Sequence, residues 1–219
     1  MPARLRPTAA IAAEAILVGD PGRALMLAQE LLEEPKMSNH ARGLWGYTGT
    51  TEAGRELTIQ STGMGGPSAS VVLADLAELG VRRAVRIGTC ASLGSLALGQ
   101  LVVVNEAREA RGAFASPEAT KATLPDPRLS EALRERLPEA RAASVLSLDN
   151  LYRPERDLPS TWAEAADMQT AALLGAAEAL GVAAAAVLVV TEKSDSGQLP
   201  DEELEGAAKA ASRAASVVL

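Results

Sequence analysis

At 219 residues, 47% of them apolar, the chain can bury one sizeable core and is not a disordered polymer. A net charge of −7, from 21 basic and 28 acidic residues, argues against a nucleic-acid binder, and the single cysteine, Cys90, excludes an internal disulfide framework and fits a reducing cytosol. Aromatic residues make up only 2%, so alanine, valine and leucine must fill the interior.

No apolar run is long enough to span a membrane. Met1–Leu17 carries early arginines and many alanines, but Glu14 interrupts it and Ile16-Leu17-Val18 runs into a Gly-Asp-Pro turn. It reads as the approach to a first strand and not as a signal peptide, which places the protein in the cytoplasm, with no membrane and no nucleic acid among its partners. Strand Ala15–Val18 is followed by a helix over Arg23–Leu32. Leu44–Thr51 and Glu56–Thr62 read as strands enclosing the turn Glu52-Ala53-Gly54-Arg55. Pro67–Leu79 is a helix with proline in its first turn and Gly80 past its end, then come strands Val81–Ile87 and Leu101–Asn105. Helix Leu129–Arg136, strand Ala142–Leu148 and helix Met168–Leu180 follow. The wholly apolar Val182–Val190 is a strand buried on both faces, and Asp201–Leu219 is a terminal helix. This alternation predicts a layered α/β fold with a parallel or mixed sheet, in one domain over residues 1–219.

The chemistry-bearing residues lie where these strands end. Arg86 closes one apolar run and is followed by Gly88-Thr89, and Arg23 sits in the turn Gly19-Asp20-Pro21-Gly22-Arg23 after another. Two strand-end arginines in small-residue turns suggest a bound phosphate. Thr62-Gly63-Met64-Gly65-Gly66-Pro67-Ser68 joins a strand to a helix, letting backbone approach a ligand and offering free N–H groups to an anion, although a plain turn reads the same way. It is neither a P-loop nor a dinucleotide fingerprint. Glu192, in Thr191-Glu192-Lys193, is either a general acid or one half of a solvated charge pair. Met168 and Gln169 are an apolar ligand wall and a hydroxyl partner, or else core and surface. With one histidine, His40, and one cysteine, zinc ligation by the usual residues is implausible, and no Gly-x-Ser-x-Gly elbow supports a serine hydrolase.

Five segments in order resemble the nucleoside phosphorylase superfamily, in the branch of hexameric bacterial purine nucleoside and uridine phosphorylases. They are Gly19-Asp20-Pro21-Gly22-Arg23, Arg42-Gly43-Leu44-Trp45-Gly46-Tyr47-Thr48-Gly49, Thr62 to Ser68, Arg86-Ile87-Gly88-Thr89-Cys90, and Asp167-Met168-Gln169-Thr170-Ala171-Ala172. The resemblance spans about residues 15 to 197. It implies a three-layer α/β/α sandwich with a mixed, partly barrel-like central sheet. It also implies a pentosyltransferase in which phosphate attacks C1′ of a nucleoside, releasing the base and giving ribose 1-phosphate. No cofactor is implied beyond phosphate as co-substrate. By similarity Gly19, Arg23, Arg86 and Thr89 hold the phosphate, with Arg42 reaching from a neighbouring subunit, so the expected assembly is a trimer of dimers. The resemblance gives the nucleoside to Cys90, Ala91, Leu151, Tyr152, Arg156, Met168 and Gln169, and proton donation to the leaving base to Glu192, with Arg86 beside it in catalysis.

The chain departs from the family at several of these positions. Gln169 stands where the family has a glutamate that accepts from ribose hydroxyls, and a neutral acceptor bonds roughly half as strongly as a charged one. Glu192 stands where purine-specific members have aspartate. No histidine precedes His40, although the family uses an N-terminal one on the 5′-hydroxyl. Arg156 matches half of the Gln-x-Arg pair that reads uracil in uridine enzymes, and the glutamine is absent. A purine nucleoside is thus the favoured substrate and uridine the runner-up. A nucleoside hydrolase and a non-catalytic nucleoside- or phosphate-binding relative are the remaining alternatives.

Overall fold

A computed structural model describes residues 4–110, 121–150, 162–193 and 197–219. Its strands are β1 (Glu14–Val18), β2 (Leu32–Asn39), β3 (Gly46–Thr51), β4 (Glu56–Ser61), β5 (Arg83–Ser92), β6 (Leu101–Ala110), β7 (Arg141–Leu148), β8 (Ala165–Asp167), β9 (Ala183–Lys193) and β10 (Gly197–Gln198). The helices are α1 (Pro21–Leu31), α2 (Gly66–Glu78), α3 (Pro127–Arg136), α4 (Thr170–Leu180) and α5 (Asp201–Val218). The strands form one mixed sheet in the order β10-β9-β6-β7-β8-β5-β1-β4-β3-β2, and a further pairing of β9 with β5 closes β9, β6, β7, β8 and β5 into a ring. The partly barrel-like sheet expected from the resemblance is therefore present.

Strand alternation builds two cores, one on each face. Ala15 and Leu17 of β1, Ala84 of β5 and Ala184, Ala186, Leu188 and Val190 of β9 pack against α2 and α4. The intervening residues Ile16, Val18, Val85, Ile87, Ala185 and Val187 pack against α1, α3 and α5. That arrangement is the α/β/α sandwich. Small side chains let the layers approach closely: a Cβ on Gly66 of α2 would lie 2.7 Å from the Cβ of Ala172 on α4.

Several elements differ from the sequence expectation: β6 runs on from Asn105 to Ala110, and the short strands β8 and β10 lie outside it. Two further differences shape the sheet. The helix expected to reach Leu32 ends at Leu31, and the chain continues at once into β2, which among the described strands pairs with β3 alone. Pro35 and the charged Glu33, Glu34 and Lys36, with a register shift between Glu33 and Lys36, make β2 a protected edge strand without apolar alternation. The second difference concerns β5, expected to stop at Ile87, which runs on to Ser92. Gly88, Thr89 and Cys90 keep pairing with Leu188, Val189 and Val190 of β9. Arg86 therefore lies within a strand, as its fourth residue and on the α2–α4 face that it shares with Ala84.

The end of α5 is held by two arginines. Arg83 donates to Glu14 Oε1 at 2.6 Å and to the carbonyls of Val218, at 2.5 Å, and Leu219. Arg55, beside the β3–β4 turn, donates to the carbonyls of Ser216 and Val217. Both guanidinium groups thus satisfy carbonyls that the helix end leaves open, and both complement its dipole. Arg83→Ala is expected to lower stability by about 1 kcal/mol, a small figure because the site is partly solvated, read as a fall in melting temperature. An unchanged melting temperature would mean that Arg55 and the apolar packing of α5 secure it without Arg83.

Candidate functional site

Local sequence dictates where each arginine sits. Asp20 caps α1, its side chain accepting from the Arg23 backbone N–H at 2.7 Å, and Pro21 takes the first helical position. Arg23 is thereby fixed in the first turn of α1, just past the carboxyl end of β1. Thr62 prolongs β4, its N–H bonded to the Val18 carbonyl, and the loop then turns through Gly63 and Gly65, both in the left-handed region at φ 73° and 81°. Gly88 is required for another reason. The Arg86 side chain folds back over it, so a Cβ there would lie 2.6 Å from Arg86 Cζ and Nη2.

These pieces enclose a cleft of about 180 Å³, between the carboxyl end of β1, the glycine loop and the body of β5. Gly19, Arg23, Arg86, Thr89, Met168 and Gln169 line it, together with Gly63, Met64, Gly65 and Gly88. A second cavity of about 420 Å³ lies on the other side of Met168, which lines both, and is bordered by Glu109, Ser147 and Asp149.

Arg86 is buried, 4% exposed, and three side chains hold it. Nε donates to Thr170 Oγ1 at 3.2 Å, Nη1 to Gln169 Oε1 at 2.7 Å and Nη2 to Asp167 Oδ2 at 3.1 Å. Asp167 also accepts from Ser147 Oγ at 2.6 Å and from both the hydroxyl (2.6 Å) and the backbone N–H of Thr170. A guanidinium carries five N–H groups, so these bonds leave two of them, one on each Nη, for a ligand. Burial pulls the Arg23 guanidinium below its ordinary pKa. Asp20 opposes this, the nearby Arg86 adds to it, and Glu205 opposes it again. The charged form of Arg23 is thus disfavoured by its surroundings, and an anion placed between the two arginines relieves both.

The remaining sequence candidates fall into three groups. Ala91 and Glu192 are register partners across β5 and β9, where a bulge at Thr191 sets Glu192 opposite Ala91, and Glu192 is half-buried there, away from the residues lining the arginine cleft. Cys90 precedes them with its thiol in the core, bonded to the Val189 carbonyl, so any ligand contact from Cys90 runs through its backbone. Arg42 is exposed at φ 61° in the short 3₁₀ turn Ala41–Gly43, outside the cleft lining. Leu151, Tyr152 and Arg156 lie outside the described residues. Sequence reasoning gave no role to Asp167, Thr170 or Ser147. The signal was available in part: an aspartate just ahead of an alanine-rich helix can accept from the free N–H groups at its start, and Asp167 does accept from the Thr170 N–H, although Gln169 is the N-cap residue.

A mixed, ring-closed sheet lies between two helix layers, and a cleft lined by Arg23 and Arg86 opens beside its central strands. Residues 14–219 match the model of the Phosphorylase superfamily, and the chain belongs to that superfamily. It is 31% identical over 208 residues to a protein named purine nucleoside phosphorylase DeoD-type from Caldanaerobacter subterraneus subsp. tengcongensis, with 88% of each chain covered. The same identity and coverage hold for the namesake from Alkaliphilus metalliredigens. The Bacillus cereus (strain ZK / E33L) protein of that name is 31% identical over 205 residues, covering 86% of this chain and 85% of its own.

Two outcomes follow from the packing. Gly88→Ala drives a methyl group into the Arg86 guanidinium and Leu188, and is expected to cost about 1–3 kcal/mol and to weaken phosphate binding measured by calorimetry. For Cys90, burial first and the Asp167 charge second push the thiol pKa up, with Arg86 opposing. It should resist thiol reagents at pH 8 in the native protein and react once the chain is unfolded. Rapid native labelling would place Cys90 outside the core.

Proposed function

We propose that the protein catalyses phosphorolysis of purine nucleosides. Phosphate attacks C1′, the C1′–N bond breaks, and the products are the free base and ribose 1-phosphate or its deoxy analogue. The observation that carries this reading is the convergence of Arg23 and Arg86, from segments more than 60 residues apart, on one cleft with Gly19 and Thr89. The name that these relatives carry supplies the purine. As C1′ becomes cationic, the phosphate dianion held by the arginines faces it, and fixed donors of this kind stabilise the transition state without reorganising.

Met168, the wall between the two cavities, is suited to lie against the sugar and base. The strand ends at Ala91 and Glu192 provide the base side, with the Cys90 backbone beside them. Glu192 is the general acid for the leaving base, replacing the aspartate of purine-specific relatives. Inorganic phosphate is the co-substrate and no cofactor takes part.

The active unit in this proposal is a dimer, assembled three times into a hexamer and working in the cytoplasm. Arg42 supports it. This exposed arginine stands in a strained left-handed turn beside Trp45, 37% exposed, while Met64, 86% exposed, stands on the cleft rim. Such a surface suits a neighbouring copy whose cleft receives Arg42.

The test is base release from inosine, guanosine, adenosine, uridine and thymidine, each with and without phosphate. Phosphate-dependent release from purine nucleosides is expected. Uracil release would favour the uridine enzyme, and release without phosphate a hydrolase. Arg86→Ala should abolish most phosphate-dependent turnover. Glu192→Gln should slow purine release by roughly 10²–10⁴-fold, and an unchanged rate on inosine would remove Glu192 from the chemistry. A monomer that stays fully active at high dilution would exclude the shared site.

A further inference from the structure

Gln169 occupies the position where the resemblance places the sugar's acceptor, but its hydrogen bonds run elsewhere. The residue is 3% exposed. Its Oε1 accepts from Arg86 Nη1 at 2.7 Å and lies 3.3 Å from Thr62 Oγ1, while its Nε2 donates to the Gly63 carbonyl at 2.5 Å. The neighbours decide which end of the amide is which: a guanidinium only donates and a backbone carbonyl only accepts. Gln169 thus bridges two walls of the cleft, the arginine on β5 and the glycine loop before α2. A glutamate would accept from Arg86 more strongly, but its second oxygen would face the Gly63 carbonyl with no proton between them. The residue type therefore fits a bridge better than it fits a sugar acceptor.

Asp167 grips the guanidinium from the other side. Its two oxygens take four donors, from Arg86, Ser147 and the hydroxyl and amide of Thr170, and it is 1% exposed. With Nε on Thr170 as well, the plane of the Arg86 guanidinium is set before any ligand arrives.

We propose that Gln169 and Asp167 are positioning residues for Arg86, and that Gln169 serves the phosphate and not the sugar hydroxyls. The proposal rests on the reading above that phosphate occupies the cleft. It makes residue 169 indifferent to the presence of a 2′-hydroxyl and ties the glycine loop to anion binding.

The experiment is calorimetric titration with inorganic phosphate, run beside kcat/KM for inosine and 2′-deoxyinosine, on wild type, Gln169→Met, Gln169→Glu and Asp167→Asn. Gln169→Met should bind phosphate about 10-fold more weakly, the loss of one hydrogen bond to a charged group, and Gln169→Glu should also bind it more weakly, because it keeps the Arg86 bond but loses the bond to the Gly63 carbonyl and sets a second carboxylate beside the anion's partner. Their inosine to 2′-deoxyinosine ratio should stay within about 2-fold of wild type, since that energy is lost from both substrates alike. A shifted ratio in Gln169→Met overturns the proposal whatever the phosphate affinity, and so does a gain in inosine kcat/KM in Gln169→Glu. Asp167→Asn should also weaken phosphate; tighter binding by it would show that Asp167 is only a counter-charge and would overturn its part. Gln169→Met keeps the residue's volume, so the question is answered even where Asp167→Asn does not fold. Calorimetry needs no turnover. A protein that binds phosphate without releasing base still tests the clamp, while a wild type that binds no phosphate overturns the reading of the cleft itself.

Discussion

Arg86 is a cation inside a protein, and the carboxyl end of the central sheet is arranged around keeping it there. An unpaired buried charge is prohibitively costly, and removing one partner of a buried pair typically costs about 3–5 kcal/mol. Asp167 meets that requirement from β8, a strand of only three residues wedged between β5 and β7. The pairing Ala91↔Ala166 on one side and Ser147↔Asp167 on the other sets its depth, so that its carboxylate reaches the guanidinium while Ser147 and the first turn of α4 satisfy its remaining lone pairs. Gly88 leaves the room, and Thr170 and Gln169 fix the angle. The ring closure of the sheet, the placement of α4 and the shape of the cleft are all tied to one side chain.

The small-residue composition serves the same end. With few aromatic residues, the two cores are built from alanine, valine and leucine, and helices and strands lie close together. The Gly66–Ala172 approach between α2 and α4 brings the glycine loop at the start of α2 within one hydrogen bond of residue 169, at the start of α4. A larger side chain at either position would hold the loop away from the arginines.

Much of this was legible in the sequence. The long apolar β9, the helices bounded by proline and glycine, and the motif order declared the layered fold, because burial on both faces and helix punctuation leave local marks. Of the residues assigned to phosphate, Gly19, Arg23, Arg86 and Thr89 line one cleft, and Met168 and Gln169 of the nucleoside set line it with them, whereas Arg42, Cys90 and Ala91 are outside its lining. What was hidden depended on partners distant in sequence. The edge strand β2 carries proline and charges and takes its structure from pairing with β3 and from bonds with Thr8 near the N-terminus. The persistence of β5 beyond Gly88 depends on β9, about 100 residues later. Asp167 looked like an ordinary residue before a helix, since its value comes from facing Arg86 across the ring, 81 positions away. The direction of the Gln169 amide is set likewise by Gly63, 106 positions away.

The central claim is that this cleft delivers phosphate, and not water, to C1′ of a purine nucleoside. The most direct measurement is the identity of the sugar product from inosine in phosphate buffer, followed by phosphorus and proton NMR against the hypoxanthine released. The account predicts ribose 1-phosphate in one-to-one proportion with the base. Free ribose in that proportion, with inorganic phosphate unconsumed, would contradict it.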